Sequence, residues 1–481
     1  MAVSAQHKDY QKFIPLWQML RDCDDGANAV KSRRGSASGQ IGSMPGTAYL
    51  PAPNAEDGST ANKLRYEAYR QRASFVNFVG HTKEGMLGMV FRKETMLDVD
   101  PGIEYIKDNA NGEGLSADQL IKLIAADTLL VGRFGLLVDY PQMREGLTAA
   151  QTAGQEARVL TYPAESIINW RCETINGKQQ LSMVILREPT EKVSADGFDV
   201  VELMYHRALL MVDGVYIQRL YNENDELLGT EQNGAFAADI VPRKADGSTW
   251  NLIPFSFVGS VNNDEVVDKA PLYDIAEINI AHYRNSADYE ESSFLVGQPT
   301  PVFSGLTQSW VDQNMSGGVA FGSRAAVLLP ESGSAMLLQA GDNQMPLKGM
   351  EIKEQQMVRI GTRIIQDKGG VETAEAAKIR FAGQNSKLSA IIGNVEEAFA
   401  QCLTWVMDFM GGTLEPEIII NREFYEASID PQLVMAAVQL MDRGVIALPD
   451  LRHQLRRSGL IAADRTDDEI DSDAEIIDEV L

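Results

Sequence analysis

The chain has 481 residues, 44% of them hydrophobic, with 43 basic against 68 acidic side chains and a formal net charge of -25. That length corresponds to roughly three domains of ordinary size, with enough apolar content to bury a core. The acidic excess works against a tight grip on polyanions, because binding DNA requires Lys and Arg to release its counterions. Its plainest reading is solubility.

The three cysteines, Cys23, Cys172 and Cys402, are odd in number and far apart. They argue against a disulfide framework and for a reducing compartment. No run of 18 apolar residues exists, so no membrane-spanning helix is expected. The start, Met1 to Tyr10, lacks the basic-then-apolar order of a signal peptide, and the protein is expected to be cytoplasmic when made.

In chain order, residues 8–22 predict a short amphipathic helix carrying Tyr10, Phe13, Ile14, Leu16, Trp17 and Leu20. A loop follows with a small basic cluster, Lys31, Arg33 and Arg34, read as solvated, with phosphate contact as the alternative. Helical text runs from Thr60 to about Met89. A capping box, Ser116 with Gln119, opens another helix through Leu120, Leu123, Ile124 and Leu129. Gly132 to Pro141 reads as a turn and a buried strand. Residues 158–260 then alternate short β-rich runs (182–187, 200–205, 215–220, 253–258) with turns such as Asp213-Gly214. An antiparallel sheet attached to helices makes the class α+β.

The stretch from Pro271 to Gly411 organises the rest. It predicts a long helix with no internal Pro or Gly before Gly297, then an insert over 297–347. The insert holds strands at Thr300–Phe303 and Ala325–Leu329 and a short helix, Leu306–Gln313, bearing Trp310. A second helix, Met350–Lys368, meets a break at Gln366-Asp-Lys-Gly-Gly370, which helices do not survive cheaply. The last helix carries Leu388, Ile391, Ile392, Val395, Phe399, Cys402, Leu403 and Val406 at the spacing of one buried face. Beyond it lie a strand at Glu417–Ile420, a helix opened by Asp430-Pro431 and stopped by Gly444, and another between Pro449 and Gly459. Nine of the last eighteen residues are Asp or Glu, which predicts a solvated, disordered tail.

Catalytic signatures are missing. There is no G-x-x-x-x-G-K-[ST], no H-E-x-x-H, no C-x-x-C and no G-x-S-x-G. The five histidines (His7, His81, His206, His282, His453) are isolated in sequence, and structural roles are favoured for each. No cofactor or metal site is expected. The two C-terminal helices, with Arg452, Arg456 and Arg457 in the second, outline a helix-turn-helix, but their connection is long and an acidic tail follows, which favours plain packing. The segment Gln366 to Lys378 reads as a helix-to-helix loop or, functionally, as a mobile mixed-charge loop that touches a polyanion without gripping it.

Several stretches carry a resemblance. They are Leu129-Leu-Val-Gly-Arg-Phe-Gly-Leu-Leu-Val-Asp-Tyr-Pro141, Tyr162-Pro-Ala-Glu-Ser-Ile-Ile-Asn-Trp170 and Asn279-Ile-Ala-His-Tyr-Arg-Asn-Ser-Ala-Asp288. Gly297 to Gly305, Glu375 to Arg380 and Asn385 to Ser389 add to them. Over about residues 45–450 the chain resembles the portal proteins of tailed bacteriophages, particularly a subgroup once catalogued only as a domain of unknown function. The resemblance implies a non-enzymatic dodecameric ring at one capsid vertex of the virion, assembled in the host cytoplasm. Double-stranded DNA passes through its channel during packaging and ejection. The implied partners are terminase, the major capsid or scaffolding protein, and a tail or head-tail connector protein, with no membrane. The alternatives are another phage structural subunit, capsid or connector, and after it a hydrolase.

Mapped by order, the resemblance implies a wing over 1–270 and 379–412, stem helices over 271–296 and 348–368, and a clip over 297–347. The tunnel loop falls at 369–378 and the crown with its acidic tail at 413–481. It makes Lys368, Gly369, Gly370, Glu372, Glu375 and Lys378 candidates for facing DNA, and Trp310, Asn314 and Arg324 candidates for clip contacts. A conduit must let about one phosphate per 1.7 Å of duplex axis slide past. Acidic walls with a few escapable lysines, Lys368 and Lys378 among them, suit that task. The alternative is acid that only solubilises the outer surface.

Overall fold

The computed structural model describes residues 2–33, 46–140, 155–315, 328–338, 344–361 and 374–424, with short breaks at 176, 195–196, 233–234, 238, 298–299, 415 and 423, and scattered positions after 440. Side chains of 374–386 lie outside the described set. The chain divides into two units: Met1–Gly88 with Thr95–Ile420, and Met89–Glu94 with Asn421–Leu481.

The first unit opens with helices α1 (Lys8–Asp25), α2 (Ala27–Ser32), α3 (Thr60–Arg72) and α4 (Phe78–Val90, which runs on past Gly88). Strand β1 (Met96–Asp98) and helix α5 (Ala117–Val131) follow, then β2 (Arg133–Asp139) and β3 (Arg158–Pro163). Next come β4 (Ile167–Ile175), β5 (Lys178–Val193), β6 (Val200–Val212) and β7 (Val215–Tyr221). The short strands β8 (Leu227–Leu228), β9 (Thr230–Gln232) and β10 (Ala235–Ala237) lead to β11 (Phe255–Gly259). The rest is α6 (Tyr273–Val296), β12 (Thr300–Ser304), α7 (Gln308–Asn314), β13 (Ser334–Leu338), α8 (Met345–Gly361), α9 (Ala374–Met410) and β14 (Glu417–Ile419).

The core forms where α5, β2 and α9 meet. The Ser116 hydroxyl accepts the Gln119 N–H at 3.2 Å, and the Gln119 side chain accepts the Ser116 N–H at 3.1 Å, so the expected capping box is present. Gly132 ends α5 with φ 77°, where an added Cβ would sit 3.1 Å from the Ala270 backbone. Every residue of β2 is buried, and this strand is the centre of an antiparallel sheet of order β11-β2-β3. The expected apolar face of α9, Leu388 to Val406, is buried throughout and lies against α5, β2 and β11. Each such side chain contributes about 1.5–3 kcal/mol of burial free energy.

The second sheet is an antiparallel meander, β4-β5-β6-β7-β8. Val212 pairs with Val215 across Asp213 (φ 50°) and Gly214 (φ 78°), the two positive-φ residues that a tight hairpin turn requires. The expected α+β class is observed.

Three expectations need correction. The helical run from Thr60 to Met89 is broken at residues 73–77 into α3 and α4, because Asn77 turns its side chain to cap the second helix, accepting the Gly80 N–H at 2.7 Å. Thr300–Ser304 pairs with Ser334–Leu338, where no strand was expected; of the expected strand Ala325–Leu329 only Leu328 and Leu329 are described, neither in a strand, and 325–327 lie outside the described residues. Helix α9 starts at Ala374, so the last residues expected as loop are helical.

In the second unit, Asn421 donates from Nδ2 to the carbonyls of Met89 and Val90, and Arg452 pairs with Asp471. Most of the expected C-terminal helices and the acidic tail lie outside the described residues.

Candidate functional site

Helices α6 and α8 pack antiparallel as a stalk, with β12, α7 and β13 between them in sequence. Three points pin their register. An added Cβ at Gly349 would lie 2.5 Å from the Asn285 amide, so glycine is what lets the two helices approach there. The His282 Nε2 lies 3.0 Å from a Glu354 carboxylate oxygen. At the base, Gly361 sits against Thr82 and Ile275.

The root of the stalk is embedded. Asn279, His282 and Ser286 recur at helical spacing on the buried face of α6, each at most 1% exposed. The Asn279 amide donates to the Val76 carbonyl (2.9 Å) and accepts from the Phe78 N–H (3.3 Å). The Ser286 hydroxyl accepts the Ser74 N–H (3.0 Å) and lies 2.6 Å from the Ser74 carbonyl. These two side chains therefore satisfy the backbone of the break between α3 and α4, which no helix or sheet ladder satisfies. Further out, the Tyr69 hydroxyl donates to Asp288 at 2.6 Å, and Arg72 pairs with Glu291 while its guanidinium lies 4.1 Å from the Phe294 ring. Burial, and then the bond to Asp288, push the Tyr69 phenol pKa well up.

Beyond Ala287 the stalk emerges. No later residue of α6 is buried, and in α8 only Met357 and Gly361 are. Exposed apolar side chains follow: Phe294 at 41%, Leu295 at 49% and Ile352 at 49%. A shallow groove on the stalk is lined by Ile278, Gln356, Arg359 and Ile360.

At the tip, β12 and β13 pair antiparallel from Thr300↔Leu338 to Ser304↔Ser334. Met336, Leu337 and Leu338 are each 60% exposed. Helix α7 buries no residue: Trp310 is half-buried, and Asn314 is exposed, its amide donating to the Trp310 carbonyl at 3.0 Å. Arg324 lies outside the described residues, as do Lys368, Gly369, Gly370 and Glu372. Glu375 and Lys378 fall in the first turns of α9, with their side chains outside the described set.

The motif Asn279 to Asp288 stood out in the sequence without a role for its polar residues. The available signal was polar side chains at i, i+3 and i+7 on a helix face that must be buried. His282 finds Glu354, a partner 72 residues away that local spacing does not indicate.

Elsewhere the buried titratable groups serve the fold. The Arg133 guanidinium lies between Trp170 (4.3 Å) and Phe257 (4.0 Å) and donates to the carbonyls of Glu265 and Val266. Burial pulls its pKa down to about 9, against the opposing pull of Asp268 and Asp264. The thiols of Cys23 and Cys402 are buried and pushed well up, the reverse of what a nucleophilic cysteine needs. Among the described residues no group of three His, Cys, Asp or Glu side chains could hold a metal ion, and no helix is long and apolar enough to cross a membrane.

Comparison with known proteins falls on this same region. A family described as a domain of unknown function, DUF4055, matches residues 271–410, the span of stalk, tip and α9. None of the curated proteins matches the chain. Among solved structures, a chain described as the neck of an empty GTA particle computed with C6 symmetry is similar at a TM-score of 0.42 and 12% identity. The similarity covers 81% of this chain and 92% of that one.

Proposed function

We propose that this chain is the portal subunit of a tailed phage: a non-enzymatic protein that closes into a dodecameric ring at one capsid vertex. DNA passes along the ring axis during packaging and ejection, and the ring is the docking platform for terminase and for the tail or a connector. The capsid or scaffolding protein surrounds it in the virion. The observation that carries this reading is the order of parts from Tyr273 to Met410. A helix, an exposed β-containing tip, an antiparallel return helix, a connecting segment and a 37-residue helix follow in the sequence of stem, clip, stem, tunnel loop and wing helix.

Burial supports the same reading. The stalk root is fastened to the body by Asn279 and Ser286, whereas the tip lacks buried residues among those described, as a part designed for contact with other chains would. Beyond Ala287 the emerging stalk carries Asp288, Glu290 and Glu291 against Lys348, with Glu291 paired to Arg72, so its remaining charge does not grip a phosphate backbone. In this reading Lys368 and Glu372, between α8 and α9, and Glu375 and Lys378, in the first turns of α9, are the candidates for facing DNA.

Electron microscopy of the purified protein with native mass spectrometry tests the proposal. The expected result is a ring of about twelve subunits with a bore of roughly 20 Å, wide enough for a duplex. A closed oligomer without an axial hole, or a monomer at every concentration, overturns it.

A further inference from the structure

Two surfaces near the foot of the stalk are each incomplete, and their chemistry is complementary. The first is the groove of Ile278, Gln356, Arg359 and Ile360. On α8, Arg359 and Ile360 follow Gln356 at i+3 and i+4, so the three share one flank of the helix. Ile360 is 39% exposed and Ile278 is half-buried. Arg359 is exposed and forms no salt bridge among the described residues. An unpaired guanidinium between two isoleucines suits a partner that brings a carboxylate and an apolar side chain together.

The second surface is the loop between β11 and α6. It is tied down on itself and on its neighbours. The Asp268 carboxylate accepts the N–H groups of Val261 (2.7 Å) and Asn262 (3.2 Å), and the Asn263 amide donates to the Asn394 carbonyl of α9 (2.9 Å). The buried Arg133 donates to the carbonyls of Glu265 and Val266. A loop held at so many points does not fold its apolar side chains inward, and Val261 is 62% and Val266 60% exposed. The Asp264 carboxylate accepts the Val266 N–H at 3.0 Å, which sets an acid beside one of those valines. Asp264, Glu265 and Asp268 share the field of the single guanidinium of Arg133 and form no salt bridge among the described residues.

The two surfaces stand at the same level. The loop leads directly into α6, whose start at Tyr273 is about 8 Å along the helix from Ile278. Gly361, next to Ile360, rests against Ile275. Rotation about a ring axis carries a group sideways and keeps its level, so with stalks along the axis the foot of one subunit faces the foot of the next.

We propose that the loop between β11 and α6 of one copy docks in the stalk groove of the next, Val266 covering Ile278 and Ile360 while Asp264 pairs with Arg359. The contact joins two different surfaces of one subunit, the heterologous kind that repeats around a ring. It rests on the ring reading given above.

The test uses full-length V266C, I360C and the double variant V266C/I360C. Cys23 and Cys402 are buried, and C172S removes the half-buried third thiol. Under mild oxidation, V266C mixed with I360C should give a disulfide-linked dimer of unlike variants. The double variant should give a ladder of linked subunits. In the natural cysteine background, R359Q and D264N should each weaken assembly about fivefold, and together no more than either alone, because both remove the same pair. D264N retains the oxygen that accepts the Val266 N–H, and circular dichroism verifies that each variant folds. A bored ring without the mixed dimer, or one in which the two losses multiply, overturns the loop contact and leaves the conduit reading standing. Mixed dimer and ladder in an oligomer with no bore do the reverse. A double variant whose link closes within one chain, or an I360C thiol that resists a thiol reagent in the dissociated subunit, shows the groove covered by its own chain and overturns the proposal. Protein that stays monomeric and gives no mixed dimer overturns both readings.

Discussion

At its root the stalk is surrounded: α6 presents Asn279, His282 and Ser286 to the body, and α9 lies in the core along its apolar face. At its tip the same polypeptide turns outward, with β13 exposed at every position and α7 burying nothing. The root contains polar groups that are costly to bury, and Asn279, Ser286 and the Nε2 of His282 each have a partner there. The tip contains apolar groups that are costly to expose and are left so. The first pattern stabilises a subunit by itself, and the second gains free energy only on association. Reading both in one hairpin separates the residues that make this protein fold from those that give it neighbours.

The largest effect should come from the core helix. Phe399→Ala empties a fully buried aromatic position on α9 and should cost about 3–5 kcal/mol in chemical denaturation. A loss under about 1 kcal/mol would mean that the apolar face of α9 is not a close-packed part of the core.

Next is the root. Asn279→Leu keeps the volume but removes one of the two partners of both the Val76 carbonyl and the Phe78 N–H, which also bond each other at 3.0 Å, and should cost about 1–3 kcal/mol. Hydrogen exchange at 74–78 should accelerate in the variant. Unchanged exchange there would show that the break between α3 and α4 is held by something else.

How much of this was legible in the sequence follows from the range over which each residue acts. The capping box at Ser116, the turn at Asp213-Gly214 and the stripe on α9 are local rules, and each appears as read. The break at residues 73–77 was only partly legible: the Asn77 cap is a local signal, but the segment before it is held by Asn279 and Ser286 more than 200 residues away, and nothing in Ala73 to Val76 forbids a helix. The strand at Ser334–Leu338 was not legible, because it is defined by its pairing with Thr300–Ser304 thirty residues earlier and not by a local signal. That β5 runs past the end of β4 at Leu186, and that β6 pairs with β7 only from His206, was equally hidden, since a neighbour's length is not visible in a strand's own sequence. At the candidate site, the order of helices was readable and the residues that fasten them were not.

A smaller effect tests the pinning between the stalk helices. Glu354 is 47% exposed but faces a His282 that is 1% exposed, so the pair is buried on one side only. Glu354→Ala leaves the buried His282 Nε2 without its partner and should cost about 1–2 kcal/mol, whereas Glu354→Gln retains a hydrogen-bonding group and should cost less than half of that. Equal losses in thermal or denaturant unfolding would show that charge, and not hydrogen bonding, holds the register.

The smallest change in subunit stability belongs to the tip. Leu337→Ser on β13 removes an apolar side chain that is already 60% exposed, so denaturation of the isolated subunit should shift by less than about 0.5 kcal/mol. Its effect should appear elsewhere, as weaker assembly in sedimentation or native mass spectrometry at matched concentration. A fall in subunit stability comparable to that of Asn279→Leu would place Leu337 in a core and erase the contrast between root and tip. Unchanged stability with unchanged assembly would leave the exposed strand without a partner, and the tip would then have to act through the half-buried Trp310 or the exposed Asn314. The informative result is the dissociation of the two readouts, because only a surface completed by another chain loses assembly while its own fold stays intact.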